Sequence, residues 1–148
     1  MKFDLRLKII ISIALLICLG FVLYQVADHS PEYVTTGEAR GEIEFKLYDE
    51  SQSLVIDDEL LFYDDDTLYT ILLRHYDLTC ADSQYQPDDS CSFKFIHGYA
   101  LLGIDDVLTN WYTSFLSIYV NGEVAIKGVS LIEPRDGDLI EIKVMLSE

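Results

Sequence analysis

Basic residues are what this 148-residue chain has least of: 10 Lys+Arg stand against 26 Asp+Glu, a formal net charge of −16. Lys2, Arg6, Lys8 and the single acid Asp4 precede Asp28, so seven bases face 25 acids from Asp28 onward. A surface this acidic repels phosphate backbones and anionic headgroups, which argues against nucleic acid or acidic lipid as a partner of that part. Proline is scarce at three residues, and no low-complexity block or internal repeat occurs. Half the chain is hydrophobic, with 10 Tyr and 7 Phe, a composition that acidic disordered tails lack. Catalytic signatures are missing as well. The chain has no Gly-x-Ser-x-Gly elbow, no phosphate-binding glycine loop and no His-Glu-x-x-His, and it reads as a non-enzyme without a cofactor.

One long apolar run is present. Residues 9–26 carry no charge, and at 1.5 Å per residue about 18 helical residues span about 27 Å, close to a bilayer's hydrocarbon core. Lys2, Arg6 and Lys8 precede it, and Asp28, His29 and Glu32 follow, which places the N-terminus in the cytoplasm and the rest outside. Residues 1–27 are therefore expected to be a cytoplasmic tip and single-pass anchor in the cell membrane. A cleaved signal sequence ending at Gln25-Val26-Ala27, or lipidation at Cys18, are the rival readings, and both also export the domain. Residues 28–40 read as a polar stalk, and 41–148 as one extracytoplasmic domain of ordinary size.

Within that domain, Ile43, Phe45 and Leu47 alternate with polar residues over 42–48, the pattern of a half-buried strand. A second strand is expected over 54–62. Asp66 or Thr67 then caps a short helix over 68–76, with Leu68, Ile71 and Leu72 on one face. A polar loop over 77–91 and further strands over 93–102, 115–120, 123–126 and 139–146 complete the reading, with tight turns at Asn121-Gly122 and Asp136-Gly137. This order predicts an α+β fold, an antiparallel or mixed sheet packed on one short helix.

Cys80 and Cys91 flank ten polar-rich residues and, outside the membrane, are expected to form a disulfide contributing roughly 3 kcal/mol. The alternative, a metal site with His75 and His97, matches no zinc spacing. The acidic clusters lack an EF-hand pattern and read as turns, a helix cap and solvated surface. No metal site is expected.

The ordered series Asp66-Thr67-Leu68, Tyr119-Val120-Asn121-Gly122, Gly128-Val129, Pro134-Arg135-Asp136-Gly137-Asp138 and Ile140-Glu141-Ile142-Lys143-Val144 resembles the C-terminal β-domain of transcobalamin and intrinsic factor, together with related domains on bacterial surfaces. The likeness covers about residues 42–146. Leu116 and Ser117 stand where family members often carry a Trp before the hairpin. The resemblance implies a β-grasp-like fold. It also implies a non-covalent site in which the hairpin residues Asn121–Ile126 approach a corrinoid, with cobalamin as the leading bound ligand. In the vitamin carriers a separate helical domain supplies most of the remaining contacts.

The ligand-contact candidates are Tyr99, Trp111, Tyr112, Tyr119, Asn121, Val124 and Ile126, because rigid aromatics and an apolar hairpin tip supply contact area. A lone Trp in a loop such as Trp111 reads first as a core plug over the sheet, and otherwise as a contact residue. Two functions follow as expectations: a membrane-anchored module that binds a small ligand, or a surface module that binds a protein or wall polymer through an exposed sheet edge.

Overall fold

The computed structural model describes residues 37–147. The expected anchor and most of the stalk lie outside these residues. Strand β1 (Gly41–Tyr48) forms because its apolar residues recur at every second position, and it buries Ile43, Phe45 and Leu47 on one face. It pairs antiparallel with β2 (Leu54–Phe62) through a turn in which Asp49 accepts hydrogen bonds from Ser51 Oγ and the Ser53 backbone.

Helix α1 (Leu68–His75) follows. Thr67 caps it, and a capping box joins Thr67 and Thr70 in both directions. Asp66 supports the same end. It accepts from Thr70 Oγ1 at 2.8 Å, from the Tyr63 backbone at 2.8 Å and from both terminal nitrogens of Arg74 at 2.6 and 2.7 Å. Burial pushes the Asp66 pKa up, but these bonds outweigh it and hold the carboxyl below its ordinary 3.8. Arg74 and His75 occupy the last turn, where cations suit the helix dipole.

Five strands make the main sheet, in the order β2, β1, β9 (Leu139–Leu146), β7 (Ser114–Val120), β8 (Glu123–Val124). Only the central β1–β9 pair is parallel. Ile140, Ile142 and Val144 share the face of Phe45 and Leu47, and α1 packs there through Leu68, Ile71 and Leu72. The fold is thus α+β with a β-grasp-like core, a mixed sheet gripping one helix.

A second, four-stranded sheet, ordered β4 (Pro87–Asp88), β3 (Leu78–Ala81), β5 (Leu101–Ile104), β6 (Val107–Leu108), differs from the sequence reading. Residues 77–91 are not all loop, because Leu78, Cys80 and Ala81 are buried and pair with β5 and β4. The strand expected over 93–102 shrinks to β5. Gly98 at φ 103° turns the chain back so that Phe95 and Gly98 bond to each other across a tight loop. The strand expected over 123–126 ends at Val124. Cys80 and Cys91 are joined as a disulfide with Cα atoms 5.0 Å apart, which fastens this loop region to β3.

Candidate functional site

The β7–β8 hairpin turns at Asn121 (φ 52°) and Gly122 (φ 83°), a primed turn that matches strand twist. The Asn121 side chain donates to Asp138 and accepts from the Leu139 backbone, so it locks the hairpin to the Asp136-Gly137 turn. Beyond Val124 the chain leaves the sheet. Ala125 still donates to the Ile118 carbonyl, but among the described residues no strand pairs with the same side of Ser114–Ser117.

Against this open edge lies a groove of about 510 Å³. Its walls are the edge residues Phe115–Ile118, the arm Val124–Gly128, the turn Phe95–Leu101, and the rings of Tyr85 and Trp111. That volume falls in the range of small-molecule sites. The rings form a continuous array: Phe93 meets Phe95 edge-on at 4.9 Å, and Phe95 and Trp111 each stack on Tyr85 at 5.1 Å. The Tyr99 ring lies tilted against that of Tyr69 of α1, centroids 4.6 Å apart, so one groove wall is tied to the helix. At the rim, Ile96 and Ile126 are 89% and 91% exposed. Two such isoleucines beside a concave apolar surface form a patch of the kind that marks interaction sites.

Backbone geometry adds a second signal. Tyr85 (φ 59°) and Trp111 (φ 67°), the stacked pair, both occupy the left-handed region. Bulky side chains rarely sit there, and each such residue costs on the order of 1 kcal/mol. Strain of this kind persists where the surroundings impose it, and it concentrates at functional sites. Near Tyr85, the Asp82 carboxylate holds the 82–86 turn by accepting from the Gln84 and Gln86 backbones. Asn110 accepts from the Tyr112 and Thr113 backbones and so fixes the turn that presents Trp111. Asp88 anchors the Cys91 end. It accepts from the hydroxyls and backbones of Ser90 and Ser92, and the Ser90 hydroxyl bond leads the effects that hold its carboxyl well below the usual range.

Gly128 closes the groove floor by close approach. A Cβ there would lie 2.5 Å from the Tyr99 carbonyl and 2.8 Å from that of His97. The Gly128 backbone also donates to His97.

Of the seven contact candidates read from the sequence, the groove brings together Tyr99, Trp111, Val124 and Ile126. Trp111 is not a core plug, being 38% exposed on the aromatic array. Tyr112 is exposed outside the groove. Tyr119 lies outside the groove, on the stretch of β7 that β8 covers through its pairing with Val124, and the Lys143 ammonium lies 4.9 Å from its ring centre. Asn121 has the turn-locking role described above and borders a neighbouring concavity. Sequence reasoning missed Tyr85, Phe95, Ile96 and Phe115. The alternation of Phe93 and Phe95 was the available signal, and it reads as an ordinary strand. Among the described residues no group of three or more His, Cys, Asp or Glu is placed to hold a metal ion, and Cys80 and Cys91 are bonded to each other.

No family model matches the chain, and no curated protein matches it. Several solved structures share its fold. A protein from Ruminococcus gnavus, named as a candidate metal-binding protein, matches 74% of this chain over all of its own length, at 14% identity and a TM-score of 0.50. Haptocorrin in complex with Cbi matches 76% of this chain at 7% identity and a TM-score of 0.53. The chain spans only 27% of haptocorrin's length. At these identities the likeness is one of fold alone.

Proposed function

We propose that this chain is a membrane-anchored, extracytoplasmic binding module that holds a small, largely apolar ligand in the groove between the β7 edge and the Tyr85–Trp111 stack. The observation that carries this reading is the strained aromatic pair lining a carboxylate-free groove with two almost fully exposed isoleucines at its rim. Binding would proceed by shape and apolar contact, without covalent chemistry. A corrinoid is the leading ligand, supported by the resemblance to transcobalamin-type β-domains and by the fold shared with haptocorrin. Residues 1–27 would tether the module, 28–40 would space it from the bilayer, and 41–148 would present the groove.

Calorimetric titration with cyanocobalamin and cobinamide tests the reading. Saturable binding, weakened at least about tenfold by Trp111→Ala or Ile126→Ala, is the expected result. No heat up to millimolar ligand would remove corrinoids as the ligand.

The second reading is a surface module for a protein partner. The open β7 edge at Ser114–Ser117 favours it, since an extended segment could pair there and seat its side chains in the groove.

A further inference from the structure

Cations are rare in this domain, and most are neutralised. Arg40 pairs with Asp64, Lys46 with Glu44, Arg74 with Asp66 and Lys143 with Glu141. Among the described residues Lys94, Lys127 and Arg135 form no ion pair. Lys127 lines the groove and also borders the neighbouring concavity, and the Lys94 ammonium, not itself in the lining, lies 5.7 Å from the ring centre of Tyr99, which is. His97 lies on the same rim. No Asp or Glu is among the described residues that line the groove, although the chain carries 26. The neighbouring concavity along the hairpin arm carries both signs, with Glu123 and Glu133 beside Lys127 and Arg135.

This distribution is the reverse of the rest of the surface. At physiological salt, charges more than about 8 Å apart are largely screened, so charges beside the groove outweigh those elsewhere on the domain. Resting on the groove reading above, we infer that the groove selects an amphipathic anion. Its apolar body lies against Trp111, Tyr85 and Leu116, and a single carboxylate or phosphate emerges at the rim toward Lys127, Lys94 and His97. Such an anion supplies Lys127 and Lys94 with a counter-charge that a neutral or cationic headgroup does not. The general acidity of the domain then acts as a filter, since anions find one favourable position on it.

The chain has one tryptophan, and it is in the groove, so the full-length protein in phosphatidylcholine nanodiscs reports occupancy through Trp111 emission. The probes are 6-phenylhexanoate, 6-phenylhexyl phosphate, 6-phenylhexanamide and 6-phenylhexylamine, with protein-free discs as reference. The expected order is anions tightest, the amide about fivefold weaker or more, and the amine weakest. The ratio between the two anions identifies the preferred headgroup. Lys127→Gln combined with Lys94→Gln should weaken the anions about fivefold or more, toward the amide's dissociation constant, with an unchanged unfolding transition certifying the fold. Equal binding of anion and amide to the wild-type protein would overturn the charge selection while leaving an apolar groove. Binding of none of the four would remove the groove reading together with it.

Discussion

The sheet-and-helix core and the groove region are built on opposite terms. In the core, β1, β9 and α1 bury apolar residues at strand or helix period, and none of their residues leaves the ordinary backbone regions. In the stretch from Asp82 to Lys127 the chain turns often. Tyr85, Cys91, Asp105, Trp111 and Asn121 all take positive φ, and large apolar side chains remain exposed. Regularity serves stability in the first region. In the second, a disulfide, carboxylate-held turns and ring stacking hold an arrangement that local preference would not choose.

Substitutions can sharpen this contrast. Phe45→Ala removes a fully buried ring at the centre of the sheet and should cost about 3–5 kcal/mol in denaturant unfolding, with no selective effect on the groove. Reducing the disulfide, or replacing Cys80 and Cys91 by Ser, should cost about 2–4 kcal/mol. It should also loosen the Tyr85–Phe95 wall, seen as faster hydrogen exchange over 82–98 than in β1 and β9. Gly128→Ala should cost about 1–3 kcal/mol, because its Cβ meets two backbone carbonyls that cannot yield without opening the groove floor.

Asp66 supplies the acid limb of stability. Its folded pKa lies below the unfolded value, so its contribution is present above about pH 4 and is lost as pH falls through the folded value. Asp66→Asn should lower stability at neutral pH and flatten the dependence below pH 4 in chemical unfolding at several pH values.

The smallest expected effect on stability is the most telling. Trp111→Asn places a residue tolerant of left-handed backbone at φ 67°, and it should change stability by no more than about 1 kcal/mol while abolishing ligand binding.

The core was legible because its signal is local and periodic. Ile43, Phe45 and Leu47, the Thr67 cap, the Asn121-Gly122 turn and strand 139–146 each announce themselves within a few residues. The pairing of Cys80 with Cys91 was legible from spacing and compartment. The small sheet was not, because β3 and β4 are too short for periodicity to separate them from loop, and their partners lie in β5. Four of the seven contact candidates reached the groove, because exposed aromatics and hairpin tips favour surfaces. Tyr119 did not, since β8 pairs with it at Val124 and the open part of the edge begins beyond that pairing. Tyr85 escaped notice because its place beside Trp111 depends on two turns 26 residues apart and on the disulfide whose loop contains Tyr85.

The central claim is that the groove around Trp111 is the binding site. The most direct test is the emission of this single tryptophan in the full-length protein, titrated with cyanocobalamin, cobinamide and 6-phenylhexanoate, in the wild type and in Ile126→Glu. The account predicts a saturable change with at least one of the three, lost when the exposed isoleucine at the rim becomes an acid. An emission that none of them moves, or a saturable response that Ile126→Glu leaves intact, would contradict it.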